Sequence, residues 1–133
     1  MLSNHKRILV VGLGNIYVTP DSLGPKVINE IDVTRHILKY MPEALEEGTR
    51  AVSAISPGVL GTTGMETLEI VNGIVENVKP KLIVVIDALA SRSIERISSS
   101  IQLADTGIVP FPKLLDNYLK FQQHFQVLHQ NCH

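Results

Sequence analysis

The sequence predicts an α/β fold built around a mostly parallel β-sheet. Short runs of β-branched apolar residues are typical of strands that are buried on both faces of a sheet. Longer segments with apolar residues at helical spacing alternate with these runs, and this alternation is the pattern of right-handed crossovers in parallel sheets. The 133 residues, of which 44% are hydrophobic, are enough for one domain with a packed core.

The first half of the chain carries two predicted strands and a helical segment between them. Arg7–Gly12 (RILVVG) predicts the first buried strand, and a cap residue and a proline within residues 21–25 (DSLGP) indicate a helix start. Apolar residues then recur at helical spacing up to residues 41–42, so a helix is expected over this stretch. Ala51–Ile55 (AVSAI) predicts the second strand, which residues 56–58 (SPG) end.

The second half begins with the clearest helix and strand. Thr63 and Glu66 match the Ser/Thr-x-x-Glu capping box, and apolar spacing continues a helix from there to residues 79–80. Residues 81–87 (KLIVVID) predict a buried strand that ends in the carboxylate of Asp87. Beyond residues 110–112 (PFP), apolar residues in a segment rich in glutamine and histidine predict an added helix or a poorly ordered tail.

Charge, cysteine content and apolar run length exclude several classes of protein. The 12 basic and 13 acidic residues nearly cancel, and no basic stripe is present, which argues against nucleic acid or an anionic membrane as the main partner. The single cysteine, Cys132, has no partner for an intramolecular disulfide. The apolar run near the start, residues 8–11, is too short for a signal peptide or a membrane span. We therefore expect a soluble protein of the cytoplasm.

Two glycines after the first strand raise the question of a nucleotide site. Gly12 and Gly14 match the first two positions of the dinucleotide fingerprint G-x-G-x-x-G, but Tyr17 stands at the third. No acidic residue closes a second strand about 20 residues further on. A sharp turn is the favoured interpretation, with Asn15 hydrogen-bonding its own backbone.

Two aspartates are the strongest candidates for chemistry. Sites in parallel sheets form where loops leave the carboxyl ends of strands, so the loops at 13–22 and 56–63 are expected to meet Asp87 at one edge. Taken singly, Asp21 is explained as a helix N-cap and Asp87 as a polar strand end. Together they predict two carboxylates in one site, where burial raises a pKa and two groups titrate apart. Such a pair suits activation of water against a carbonyl group.

Several segments, in order along the chain, resemble the germination protease of spore-forming bacteria. The matching segments are VGLGNIYVTPDSLGP (11–25), VTRH (33–36), SAISPGVLGTTGMET (53–67), IDALASRSIER (86–96) and IQLADTGI (101–108). The resemblance implies an aspartic-type endopeptidase that degrades small acid-soluble spore proteins during germination, is made as a zymogen and assembles as a homotetramer. It also implies a three-layer α/β/α fold similar to that of the hydrogenase maturation proteases.

The resemblance carries the family's two proposed catalytic aspartates onto this chain. They fall on Asp21, in TPDSLGP, and on Asp87, in IDALA. The residues expected to support them, as turn or cap residues or by letting a substrate backbone approach, are Asn15, Thr19, Ser22, Gly58 and Gly61. The maturation proteases place a metal ligand near each aspartate position and add a histidine. No equivalent histidine is evident here, so we expect a site without metal or other cofactor.

The resemblance runs from about Arg7 to residue 109, which predicts a germination-protease-like core over 1–109 and a divergent helical tail over 110–133. The family continues with a further α/β portion where the tail stands, so a truncated member is expected. Three hypotheses follow. The chain is an endopeptidase of the spore cytoplasm that acts on small acid-soluble spore proteins; it is a catalytically inactive fragment of that protease; or it is a metal-dependent processing peptidase of the hydrogenase maturation type.

Overall fold

The computed structural model describes residues 7–90, 101–104 and 125–132, with the backbone alone described for 89–90 and the last two ranges. The strands of its sheet are β1 (Arg7–Gly12), β2 (Ala51–Ile55), β3 (Leu82–Ala90), β4 (Ile101–Ala104) and β5 (Phe125–Cys132). Their spatial order is β2-β1-β3-β5-β4. The β1–β2, β1–β3 and β3–β5 pairs are parallel and β4–β5 is antiparallel. The predicted mostly parallel sheet is therefore confirmed.

Helices cover both faces of this sheet. They are α1 (Leu23–Glu30), α2 (Arg35–Tyr40), α3 (Leu60–Thr63) and α4 (Thr67–Val78), with 3-10 turns at Thr19–Asp21 and Pro42–Ala44. On one face, Leu9 and Val11 of β1 join the buried cluster that contains Val71 of α4. On the other face, Gly12 approaches α1. Successive residues of a strand point to opposite faces, so the sheet lies between two helical layers. The three-layer architecture is confirmed.

The contact between α1 and β1 is exceptionally close and needs two glycines. A Cβ atom on Gly12 would lie 2.3 Å from the carbonyl oxygen of Gly24, and one on Gly24 would lie 2.1 Å from that of Leu13. Backbone therefore packs against backbone where α1 begins. This approach fixes the start of α1, and with it the Thr19–Asp21 turn, against the end of β1. None of the described helices is both long and apolar enough to cross a bilayer.

The helix predicted up to residue 41 is wrong over residues 31–34, which separate α1 from α2. Thr34 pairs instead with the outer edge of β2. Its backbone N–H donates to the carbonyl of Val52 at 3.0 Å, and its hydroxyl accepts from the N–H of Val52 at 2.9 Å and donates to the carbonyl of Arg50. These bonds satisfy backbone groups that an edge strand leaves unpaired, so tertiary pairing outweighs helical spacing here.

The capping box predicted at Thr63 and Glu66 is wrong by one helical turn. Helix α4 begins at Thr67, Glu66 is its N-cap, and the backbone N–H of Glu66 donates to the carboxylate of Glu69 at 2.9 Å. Thr63 instead ends α3, and its hydroxyl accepts from the N–H of Met65 at 3.1 Å. Glu66 takes the N-cap position that the predicted motif gives to Ser or Thr, and the glycine at position 64, with a φ of +70°, separates the two helices.

Two expectations about the later strands are also wrong. Strand β3 continues to Ala90, three residues beyond its predicted end at Asp87, because β5 pairs with it along this extension. The helical tail predicted for 110–133 is a strand over Phe125–Cys132. Residues 110–124 and 133 lie outside the described residues, and the domain boundary at 109 stays a prediction.

Candidate active site

The candidate site lies at the edge of the sheet where β1, β2 and β3 point their carboxyl ends, here called the carboxyl edge. Strand β1 ends at Gly12, which pairs with Ile86, and the N–H of Leu13 donates to the carbonyl of Ile86 at 2.8 Å. Asp87 is the next residue of β3. In the part of the chain that the structure describes, two loops leave this edge: the β1 loop (residues 13–22) and the β2 loop (residues 56–66). The parallel topology therefore brings both loops and Asp87 to one edge.

Asp21 closes the β1 loop through its carboxylate. Its Oδ2 accepts a hydrogen bond from the backbone N–H of Asn15 at 2.9 Å, and its own N–H donates to the carbonyl of Val18 at 2.8 Å. Gly14 makes room for this closure, because a Cβ atom there would lie 2.0 Å from the carbonyl oxygen of Asp21. The interpretation of Asp21 as the N-cap of α1 is wrong, since Ser22 occupies the N-cap position.

Asp87 is a half-buried carboxyl group that follows a fully apolar stretch of β3. Burial is the main cause that raises its pKa, from 3.8 to about 6. The negative charge of Asp21 raises the pKa further, while a hydrogen bond from the backbone of Ala88 acts in the opposite direction. Because its pKa is near 6, this carboxyl group holds a proton between about pH 4 and pH 6, where an exposed aspartate is already ionised.

The structure brings Asp21 and Asp87 together. The Thr19–Asp21 turn lies beside β3, and the two side chains are close enough for the charge of Asp21 to act on the ionisation of Asp87. Two interacting carboxyl groups titrate as a pair, in which one can hold a proton while the other accepts one. Such a pair can deprotonate a water molecule and protonate a carbonyl oxygen.

Asn15, Thr19 and Ser22 shape the loop that holds Asp21. The side-chain oxygen of Asn15 accepts from the N–H of Tyr17 at 3.0 Å, as predicted for a turn fixed by its own asparagine. The hydroxyl of Ser22, which is only 3% exposed, donates to the carbonyl of Thr19 at 2.9 Å. Ser22 thus ties the start of α1 to the turn, and all three residues act on the position of Asp21 through backbone groups.

Gly58 and Gly61 lie in the neighbouring β2 loop and α3. Gly58 has a φ of +78°, and a Cβ atom there would lie 3.3 Å from a methyl carbon of Thr63. Gly61 is exposed, and a Cβ atom there would meet nothing within 4 Å. The topology places both glycines on the carboxyl-edge side of β2, and their predicted contact with a substrate backbone stays a prediction.

Sequence reasoning missed three features of this edge. The N–H of Asn15 as the partner of Asp21 and the backbone contact of Gly24 depend on how the loop folds back, which spacing does not reveal. The β3–β5 register also pairs Asp87 with His129, a residue that the sequence had placed in a helical tail. Among the described residues, no cluster of three or more His, Cys, Asp or Glu side chains has the geometry of a metal site.

Comparison with known proteins identifies the family. The germination protease family model matches residues 1–120. This chain belongs to the germination protease family. It is 60% identical over 109 residues to the germination protease of Clostridium acetobutylicum and 56% identical over 109 residues to that of Bacillus mycoides. Each alignment covers 82% of this chain, but only 33% and 30% of the respective relative. The chain thus spans about one third of the length of these germination proteases.

Solved structures support the fold assignment. The [NiFe] hydrogenase maturation protease HycI of Thermococcus kodakarensis superposes with a TM-score of 0.62 at 20% identity, over 98% of this chain and 76% of that one. The endopeptidase HycI of Escherichia coli superposes with a TM-score of 0.56 at 15% identity, over 94% and 72%. The predicted similarity of this germination protease family member to the maturation protease fold is confirmed.

Proposed function

We propose that this chain is an endopeptidase core that hydrolyses small acid-soluble spore proteins during spore germination, with Asp21 and Asp87 as its catalytic pair. Membership of the germination protease family supports a peptidase of germination. The observation that carries the mechanism is the charge coupling between Asp21 and the half-buried Asp87 at the carboxyl edge. The proposal includes an aspartic-type mechanism that requires no metal or other cofactor.

The two carboxyl groups take different roles in the proposed mechanism. Asp21 acts as the base and accepts a proton from water as the water oxygen attacks the carbonyl carbon of the scissile peptide bond. Asp87 donates its proton to the carbonyl oxygen, which yields a tetrahedral diol. The C–N bond then breaks, the leaving nitrogen takes the proton held by Asp21, and Asp87 recovers its proton from the diol. Burial supports the assignment of the proton to Asp87, because it raises the pKa of that group to about 6.

The family resemblance supplies the rest of the proposal. The endopeptidase acts in the spore cytoplasm, is made as a zymogen and works as a homo-oligomer, a tetramer in the family. Gly58 and Gly61 give the substrate backbone access to the carboxyl edge, and Asn15, Thr19 and Ser22 hold Asp21 in place. The hydrogen bonds of the β1 loop support this last role.

The decisive experiment incubates the purified chain with an acid-soluble spore protein and follows cleavage by mass spectrometry. We expect Asp21→Asn and Asp87→Asn each to lower the cleavage rate by about 100- to 10,000-fold, because each removes a proton-transfer group. Asp32→Asn is the matched control, since Asp32 is exposed in the segment between α1 and α2. Cleavage that survives in both site variants would overturn the aspartate pair.

One alternative rests on an observation of this chain. Because it spans about one third of its relatives, a fragment that binds the substrate without cleaving it is the second candidate. Binding of the spore protein without any cleavage by the parent chain would support this candidate. Cleavage that a chelator abolishes and added nickel or zinc restores would instead support a metal-dependent processing peptidase.

A further inference from the structure

We propose that His129 is a positioning residue of the candidate active site, and that it forms with Asp87 a carboxylate–imidazole pair that holds the proton of the proposed mechanism. The inference rests on the proposed function and adds to that site a group that lies outside the family motifs. In such a pair the proton passes from a carboxyl oxygen to a ring nitrogen, which turns the acid and the neutral imidazole into a carboxylate and an imidazolium. No atom is gained or lost, so the proton stays available to Asp87.

The proposal stands on the register of β3 and β5. Asp87 pairs with His129 in this parallel ladder, and β1 ends one position earlier, where Gly12 pairs with Ile86. Residues in register on adjacent strands lie on the same face of the sheet, and the strands are about 4.8 Å apart. Opposite charges within about 4–6 Å of each other alter each other's ionisation. The backbone alone therefore makes a carboxyl-bearing and an imidazole-bearing residue neighbours at the carboxyl edge.

Polar residues of three adjacent strands meet in one row of the sheet. His129 pairs with Asp87 on β3 and with Gln102 on β4. The two rows nearer the amino edge are apolar: one joins Ile86, Leu128 and Leu103, and the other joins Val85, Val127 and Ala104. The polar row thus begins where the apolar interior of the sheet ends, and His129 stands in it between a carboxyl group and an uncharged amide residue.

Among the described residues, the charge that acts on Asp87 is that of Asp21. The β1 loop also contributes the exposed Tyr17, and neither β4 nor residues 56–65 contain a charged side chain. Cys132 of β5 falls on the opposite face from His129, because residues alternate along a strand. The charged residues of α1 and α4, the helices on the two faces of the sheet, are all exposed: Lys26, Glu30, Glu69 and Glu76. An imidazolium in register with Asp87 therefore offsets the repulsion between two carboxylates.

The two groups of the pair titrate over the same pH range. Histidine ordinarily has a pKa of about 6.5, and the pKa of Asp87 is about 6. An ionised Asp87 favours the imidazolium and so raises the pKa of His129, and the two groups exchange and lose protons as a coupled pair. Because the last proton has two sites available, the pair keeps it to a higher pH than Asp87 would alone.

Nuclear magnetic resonance tests the pair without any cleavage reaction. We expect the ring signal of His129 to titrate about one pH unit higher in the parent chain than in Asp87→Asn, because the amide carries no charge. The signal is assigned by its loss in His129→Gln. His36, exposed on α2 next to β2, is the control whose signal should titrate alike in both proteins. Equal titration of His129 in the two proteins would overturn the proposal.

Cleavage assays then connect the pair with the mechanism. We expect the alkaline limb of kcat/KM to lie about half a pH unit lower in His129→Gln than in the parent chain, and His36→Gln to leave it in place. An unchanged limb in a folded His129→Gln protein, with cleavage lost in both aspartate variants, would overturn the role of His129 alone. Cleavage that survives in Asp21→Asn and Asp87→Asn would overturn the catalytic pair, and with it the mechanism whose proton His129 shares, even where the titrations are coupled.

Discussion

The two edges of the sheet differ in what their residues do. At the amino edge, where β1 and β3 begin, the N–H of Lys81 donates to the carbonyl of Arg7 at 2.7 Å, and the side chain of Arg7 donates to the carbonyl of Lys79 at 2.9 Å. Charged side chains and backbone bonds close this edge. The carboxyl edge instead holds close glycine contacts, the half-buried carboxyl group of Asp87 and the exposed side chain of Tyr17.

The carboxyl edge contains two arrangements that do not stabilise the folded chain. Burying Asp87 beside another carboxylate disfavours its ionised form, and exposing Tyr17 leaves an aromatic ring in water. Neither arrangement contributes to stability, and both are found at the edge where parallel sheets place their sites. The half-buried carboxyl group with its raised pKa indicates a functional site at this edge, whereas exposed apolar side chains also lie elsewhere, as at Tyr40 and Met41.

The largest expected effect comes from the glycine contact that supports the carboxyl edge. We expect Gly24→Ala to lower the free energy of unfolding by about 3 kcal/mol or more, because its Cβ atom would collide with the backbone of Leu13 and displace α1. Gly73→Ala is the control: a Cβ atom there meets nothing within 4 Å, and alanine favours the helix by about 1 kcal/mol. Urea denaturation of both variants measures the difference, and equal stability would contradict the close packing.

The second prediction concerns the pH dependence of cleavage. If Asp87 supplies a proton, kcat/KM falls about tenfold per pH unit as the pH rises above about 6, where Asp87 loses its proton. A pH profile with a spore-protein substrate measures this limb. A rate that rises through pH 6 would reverse the roles of the two carboxyl groups, making Asp87 the base.

The third prediction separates stability from activity at Asp87. The folded-state pKa of about 6 exceeds 3.8, so the protonated carboxyl group favours the folded chain. That contribution is complete below about pH 4 and is lost as the pH rises through about 6. Asparagine cannot ionise, so we expect Asp87→Asn to raise the free energy of unfolding at pH 8 by about 1–2 kcal/mol, a value reduced for the partial exposure of the side chain.

Denaturation of Asp87→Asn and the parent chain at pH 4 and pH 8 checks this prediction. The difference between the two proteins should vanish at pH 4, where Asp87 is protonated in the parent chain as well. A loss of stability at pH 8 would show that the charged form of Asp87 is favoured in the fold.

The smallest effect is expected at the amino edge. Arg7→Ala removes an exposed hydrogen bond to the carbonyl of Lys79, which we expect to cost about 0.5–1 kcal/mol of stability. Cleavage should be unchanged, because this edge carries no part of the proposed site. Thermal denaturation measures the stability of Arg7→Ala, and the cleavage assay measures its activity. A large loss of activity in a folded Arg7→Ala protein would contradict the assignment of the site to the carboxyl edge alone.

Local signals in the sequence were sufficient for the first two strands and for the sheet edge that carries the candidate site. The apolar runs at Arg7–Gly12 and Ala51–Ile55 form strands with the predicted bounds. In a parallel sheet, the residues that follow the carboxyl ends of the strands lie at the same edge. The sequence alone therefore predicted that Asp21 and Asp87 lie close together. The family motifs led to the same two residues.

Local signals failed where a distant partner decided the outcome. Residues 31–34 have helical spacing, but Thr34 bonds to the edge of β2. Strand β3 passes Asp87 because β5 continues the ladder. The strand at Phe125–Cys132 has the same cause: its residues also fit a helix, and pairing with β3 and β4 selects the strand.

The sequence by itself determined the fold class, the bounds of β1 and β2 and the sheet edge that Asp21 and Asp87 share, because each depends on short-range apolar patterning and on the geometry that all parallel sheets share. Only the tertiary structure decided how deeply Asp87 is buried, which N–H holds Asp21 and how closely α1 meets β1. These quantities depend on contacts between residues far apart in the chain, and the same local residue types are compatible with many such contacts.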